Sequence, residues 1–291
     1  MTATPLGGIL FTVLAYFLFS LQDATIKWLV VALPPWQILF VRSVVVLLVC
    51  LGLGRRSLLR RAGATRLKRP LLARGALTLA AWLCYYTAAA RLGLAQLITL
   101  YFAAPLIVTV LAVRMLGERI TPARGVAVLL GFAGVVIAAD PFGMSLSLPT
   151  GLVLLAAVLW ATSIVLMRRI ARDESSLLQM LYSNAFFLAG TGVMTALAWH
   201  VPDWRQGVLL LAVGVFGGLA QFCLLEGIGR SPAAVAASFE YTALIWAFVL
   251  GRVVFGDTPA PNVFAGAAAI LAAGLLLVFS ERRAARIGVA P

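Results

Sequence analysis

Residues 151–169 read GLVLLAAVLWATSIVLMRR, and that pattern decides the fold. No charged side chain occurs from Gly151 to Met167, and two arginines follow at once. A helix rises 1.5 Å per residue, so about 20 such residues cross a hydrocarbon core roughly 30 Å thick. Apolar blocks of this length recur along the chain with short polar punctuation between them. The whole composition agrees: 63% of the 291 residues are hydrophobic, 11% are charged, and the mean hydropathy is +1.04. A soluble domain carries roughly 25% charged residues, so this chain lacks the polar shell that a soluble fold needs. Strand-like alternation is absent, which excludes a β-barrel.

The blocks predict ten spanning helices at about 7–31, 35–53, 70–90, 94–114, 122–140, 150–170, 176–199, 207–228, 233–254 and 262–280. Twelve of thirteen prolines fall at or beyond these ends, where a missing N–H costs nothing; Pro105 lies inside. The start, Met1 to Pro5, carries no basic residue, so the first block reads as a retained helix rather than a cleaved leader. The net charge of +13 does not describe a nucleic-acid surface, because the basic residues are spread over short connections. With the N-terminus cytoplasmic, seventeen Lys and Arg fall in inside segments and three (Arg91, Arg205 and Arg252) in outside ones. Lysine and arginine favour the cytoplasmic face, so both termini are expected there, in a bacterial inner membrane. Cys50, Cys84 and Cys223 sit in apolar blocks without metal-ligand spacing, so no metal or cofactor is expected.

The chain also pairs with itself. An offset of 139 aligns Cys84 with Cys223, Arg91 with Arg230, Gly117 with Gly256, Glu118 with Asp257 and Pro122 with Pro261. An offset of 142 aligns Lys27 with Arg169, Gln37 with Gln179 and Arg42 with Asn184. Two repeats are expected, 1–145 and 146–291. Each holds five helices, an odd number, so the second must be inverted relative to the first, a design recurrent among secondary transporters.

The strongest local pattern runs from Pro105 through Gly117-Glu118-Arg119-Ile120-Thr121 into a helix punctuated by Gly125, Gly131 and Gly134. It resembles the EamA-type members of the drug/metabolite transporter superfamily, and the second half carries a worn copy, Gly256-Asp257-Thr258-Pro259. The resemblance implies an all-α membrane fold and the export or exchange of small metabolites by alternating access.

Ionisable groups deep in a bilayer cost about 2.5–3.5 kcal/mol each on insertion scales, so each needs a reason. Glu240 lies within Ser238-Phe239-Glu240-Tyr241, aligned with Thr99-Leu100-Tyr101 in the first repeat. Acids, hydroxyls and aromatic faces at one depth are what a substrate cavity needs. The alternative is a Glu240 that pairs internally or stays protonated. Arg42 either grips a substrate carboxylate or pairs with Asp23 on the neighbouring helix. Asp23 is also four residues before Lys27, close enough to pair with it on one helix face. The candidate substrate set is therefore Glu240, Arg42, Tyr101, Thr99, Ser238, Tyr241 and Asp23. Pro105 withdraws the helical hydrogen bond to the carbonyl of Tyr101, either to line the cavity or simply to kink the helix for packing. Glu118, Glu226 and His200 sit at helix ends; Glu118 reads as a structural or gating ion pair and His200 as a surface residue.

The expected activity is secondary transport, export by expectation, of a small metabolite, an amino acid by the presence of an acid and an arginine near one depth. A drug or other metabolite exporter driven by proton exchange is the alternative, and a passive channel a further one. No phosphate-binding loop points to ATP drive. An intramembrane enzyme would need a metal cluster, paired aspartates or a serine–histidine arrangement, and the sequence offers none.

Overall fold

A computed structural model describes residues 5–116, 122–139, 147–171, 173–230 and 242–286. Among them are eleven helices and no strand. In chain order they are α1 (Pro5–Leu29), α2 (Pro35–Ala64), α3 (Lys68–Ala89), α4 (Leu94–Tyr101), α5 (Ala103–Leu116) and α6 (Pro122–Ala139). The second half supplies α7 (Leu148–Ile170), α8 (Ser176–Leu197), α9 (Trp204–Arg230), α10 (Thr242–Phe255) and α11 (Pro261–Arg286). Proline opens α1, α2, α6 and α11, where its fixed φ suits a first turn and its missing N–H leaves no bond unmade. Ser147 and Ser175 cap α7 and α8 by accepting from the N–H groups of Thr150 and Leu178.

Two elements depart most from the expected spans; the last helix also runs on past 280 to Arg286, and residues 233–241 of the ninth expected helix lie outside the described residues. The fourth expected helix is two, α4 and α5, broken at Phe102. Pro105 is the cause: it has no N–H for the carbonyl of Tyr101, and its ring crowds that carbonyl. The second expected helix runs on to Ala64, well past 53. Nothing after Gly54 breaks it, since Arg and Leu are good helix formers, and Leu58 buries itself against Cys50, Met167 and their neighbours. Helices Pro35–Gly54, Leu148–Ile170, Ser176–Leu197 and Trp204–Gly227 are long and apolar enough to cross a membrane by themselves; Leu94–Val108, Gly125–Ala138, Thr242–Phe255 and Pro261–Leu276 are shorter apolar stretches. Many large apolar residues face outward, among them Leu48, Leu129, Phe132, Leu211 and Val253. A contiguous apolar exterior of this kind meets lipid.

The packing has the symmetry of an inverted duplication. Taking α1 to α7, α2 to α8, α3 to α9, α4–α5 to α10 and α6 to α11 maps the packing pattern onto itself. The pair α1–α9 becomes α7–α3, α2–α9 becomes α8–α3, and α1–α10 becomes α7 against α4 and α5; all are in contact. The pairs α2–α8, α6–α11 and α4–α10 are self-related, and they too are in contact. Helices α2 and α8 run antiparallel. The Gln37 side chain at the start of α2 brackets the backbone of His200 just beyond α8, and Tyr182 near the start of α8 donates to the Ala62 carbonyl near the far end of α2. The chain is thus an all-α integral membrane protein of two repeats.

Candidate functional site

Between the two halves lies a cavity of about 80 Å³, room for several waters. From the first half it is lined by Tyr16, Phe19, Ser20, Gln22 and Asp23 of α1, Trp82, Tyr85 and Tyr86 of α3, and Ile98, Tyr101 and Phe102 at the α4–α5 break. From the second half come Trp160 of α7 and Ala243 of α10. Asp23 is the ionisable acid on the described lining. Its carboxylate accepts one hydrogen bond, from the Tyr85 hydroxyl at 3.1 Å.

Aromatic rings form most of the wall. Tyr85 meets Tyr101 edge-on at 5.0 Å between centroids, Trp82 stacks on Tyr86 at 5.9 Å, and Trp160 leans on Trp82 at 6.4 Å. Edge-on and offset contacts of this kind contribute about 0.5–1.5 kcal/mol each beyond their buried area. They hold the wall in shape without a substrate.

Arg42 stands behind that wall. It is fully buried, and its guanidinium lies 4.0 Å from the centroid of Trp82. Its Nε donates to Gln22 Oε1 at 3.3 Å, Nη1 to Asn184 Oδ1 at 3.2 Å, and Nη2 to the Gly217 carbonyl at 3.1 Å and Gln221 Oε1 at 3.4 Å. Gln22 in turn reaches Tyr86 Oη at 3.5 Å, and Asn184 donates to Gln221 at 3.3 Å. The expected ion pair between Arg42 and Asp23 is therefore not formed: neutral amides and a carbonyl from α1, α8 and α9 surround the guanidinium instead. Arg42 and Asn184, aligned by the repeat, touch each other. Positions exchanged by a two-fold can meet only near its axis, so this network marks the centre of the duplication.

The expected pairing of Asp23 with Lys27 is not formed either. Lys27 donates to Asp257 Oδ2 at 2.6 Å and lies 4.5 Å from the Phe255 ring centroid. Asp257 also accepts from the N–H of Leu94 at 2.9 Å, the first residue of α4, where a carboxylate satisfies an orphan donor and the helix dipole together. Gly256 places it there. Its φ of +65° turns the chain sharply as α10 ends, a conformation that favours glycine. The worn motif of the second half thus ties α10 to α1 and α4.

Of the candidate set, Asp23 and Tyr101 come together on the cavity wall. Thr99 is fully buried and spends its hydroxyl on the Ala95 carbonyl, and neither it nor Arg42 is part of the lining. Glu240, Ser238 and Tyr241 lie outside the described residues, as does Glu118. Glu226 accepts from Ser176 at 2.9 Å, joining α8 to α9, and His200 is exposed. The aromatic wall of Trp82, Tyr85, Tyr86 and Trp160 was not singled out from sequence. Its signal was present in Trp82-Leu-Cys-Tyr85-Tyr86, which puts a Trp and a Tyr four residues apart on one helix face.

The comparisons with known proteins bear on the same architecture. A solved crystal structure superposes with a TM-score of 0.72 at 19% identity, covering 96% of this chain and 99% of that one, and it supports the fold alone. The S-adenosylmethionine uptake transporter of Rickettsia prowazekii is 27% identical over 285 residues, 96% of this chain and 95% of that protein. The pseudopaline exporter of Pseudomonas aeruginosa is 30% identical over 280 residues, with 93% and 95% covered. The riboflavin transporter of Vibrio cholerae is 26% identical over 275 residues, with 92% and 91% covered. All three are named as transporters of small molecules and none as an enzyme. The model of the EamA-like transporter family matches twice, over residues 6–139 and 149–279. With one match per half and relatives that align nearly end to end, the chain belongs to the EamA-like transporter family and is a multi-pass membrane transporter, not an enzyme.

Proposed function

We propose that this chain is a secondary transporter that exports a small amine-bearing metabolite, amino acids included, from the cytoplasm by alternating access around the Asp23 cavity. The observation that carries the reading is the position of that cavity. It lies where α1, α3 and α4 of one half face α7 and α10 of the other, so a rocking of the halves exposes it to one side or the other. The relatives' named cargoes differ, so the substrate is read from the wall, where Asp23 accepts an amine. Glu240, Ser238 and Tyr241 are proposed to complete the site with Tyr101 and Asp23, while Arg42 and Thr99 support it from behind.

Export is the proposed direction, as the family resemblance implies; the placement in the inner membrane with both termini cytoplasmic is supported by the seventeen basic residues against three. Moving a cation outward against an inside-negative potential costs about 2.3 kcal/mol per charge per 100 mV. Exchange for a proton removes that cost. Purified protein in liposomes, loaded with labelled amino acids and amines and assayed with and without a pH gradient, tests the reading. The expected result is efflux above empty vesicles for at least one compound, accelerated when protons enter. Efflux equal to that of empty vesicles for every compound rejects it. Glu240→Gln is expected to lower that efflux while leaving the amount of protein in the membrane unchanged.

A further inference from the structure

The charge and hydrogen-bond balance of the cavity goes further and names a class of substrate for the site proposed above, on whose transporter reading it rests. We propose that the cavity selects organic cations: a positively charged nitrogen on a flat, apolar body, held by the Asp23 carboxylate among the rings of Trp82, Tyr85, Tyr86, Tyr101 and Trp160.

The sign comes first. Asp23 is the charged group on the described lining, and the described bases nearby are each held elsewhere. Arg42 is committed to Gln22, Asn184, Gln221 and the Gly217 carbonyl, Lys27 to Asp257, and both terminal nitrogens of Arg74 to Ser183 and Met167, its buried Nε alone being unpartnered and off the lining. A carboxylate or phosphate entering the cavity would meet Asp23, with no arginine or lysine on the described lining to receive it.

The hydrogen bonds point the same way. A carboxylate offers about four acceptor sites, and Asp23 fills one of them with the Tyr85 hydroxyl. Three of the donors on the same wall are already in use: Tyr85 on Asp23, Ser20 on the Tyr16 carbonyl, and one Gln22 amide N–H on Tyr86. The Asp23 carboxylate thus has acceptor capacity to spare, which is the complement of an ammonium. The rings supply the remainder. A cation within about 6 Å of an aromatic face gains roughly 0.5–2 kcal/mol, more as water is excluded, and the same faces cover a flat apolar body. A free amino acid satisfies Asp23 with its ammonium and leaves its own carboxylate unmatched. The matched amine, lacking that carboxylate, fits the cavity better.

The experiment uses the purified full-length protein in detergent and three probes with the same ring: phenethylamine, phenylalanine and 3-phenylpropionate, with phenethyltrimethylammonium as a cation that cannot donate a hydrogen bond. Affinity is read from quenching of tryptophan fluorescence, since Trp82 and Trp160 line the cavity, and from the thermal shift. Phenethylamine is expected to bind about tenfold or more tightly than phenylalanine, and 3-phenylpropionate weakest. Asp23→Asn is expected to abolish the preference, and Tyr85→Phe, which keeps the carboxylate, to preserve it. Should Asp23→Asn fail to fold, the order of the probes on the unaltered protein still decides. Equal or tighter binding of phenylalanine or 3-phenylpropionate overturns the proposal, as does the absence of binding by both amines, or a preference that survives in Asp23→Asn. Because binding is measured without a membrane, amines that bind and are never moved would refute the transporter reading alone. Efflux of other compounds by a protein that does not bind amines would refute the cation reading alone.

Discussion

Arg42 shows how a full charge is kept inside a membrane bundle without a counter-ion. Its donors meet four acceptors, two amide oxygens from α1 and α9, one from α8, and a carbonyl of α9, while Trp82 covers its face. Side-chain hydrogen bonds between membrane helices average about 0.6 kcal/mol each, so four amount to roughly 2–3 kcal/mol. Arg42→Met is expected to lose about that much in thermal or denaturant unfolding in detergent. A double-mutant cycle with Gln221→Leu should show a coupling of at least about 0.5 kcal/mol, whereas the cycle with Asp23→Asn should be additive within about 0.3–0.5 kcal/mol. Strong coupling to Asp23 would mean that the two charges do pair. The depth of Arg42 and Asp23 was legible in the sequence because depth depends on position within one apolar block. Their partners were not. Pairing depends on the register between helices far apart in the chain, such as α2 with α8 and α9, and no single block encodes that register.

Most of the described helix ends were legible to within a few residues, because spanning length and proline placement are local properties. The two largest exceptions, the break at Phe102 and the extension of α2, are also local in cause. Pro105 announced a disturbance without fixing whether it would bend the helix or divide it, and Arg-rich residues after Gly54 lie beyond the apolar block yet remain good helix formers. Contact between elements is a finer matter, and the α6–α11 pair illustrates it. A methyl group on Gly134 would stand 2.7 Å from the Gly266 carbonyl oxygen, and one on Gly266 would overlap the carbonyl of Gly134. The two backbones touch, so Gly134→Ala or Gly266→Ala must push α6 and α11 apart. Each is expected to cost about 1–3 kcal/mol, as overpacking does elsewhere. Gly52 of α2 is the control: nothing lies within 4 Å of an added methyl, so Gly52→Ala should be neutral or stabilise by about 0.5–1 kcal/mol. Unfolding measurements on the three variants check the contrast. Equal effects at all three positions would show that backbone approach does not hold this pair together.

The molecule as a whole is two halves packed helix against helix with a few polar ties between them, and one tie stands at the end of the cavity. Lys27 lies one turn along α1 from Asp23, and Leu94 one turn along α4 from Ile98, which lines the cavity. Asp257, from the other half, binds both Lys27 and the Leu94 N–H, closing α1, α4 and α10 together at that end. If the halves rock during transport, this tie must part whenever the cavity opens on that side. With Cys50, Cys84 and Cys223 replaced, the pair Lys27→Cys and Asp257→Cys can be bridged by a short, cleavable bifunctional thiol reagent. Bridging is expected to stop efflux from liposomes nearly completely, and cleaving the linker to restore it, while either cysteine alone leaves efflux indifferent to the reagent. Full efflux from fully bridged protein would show that this end stays shut throughout the cycle, and that the substrate leaves by another route.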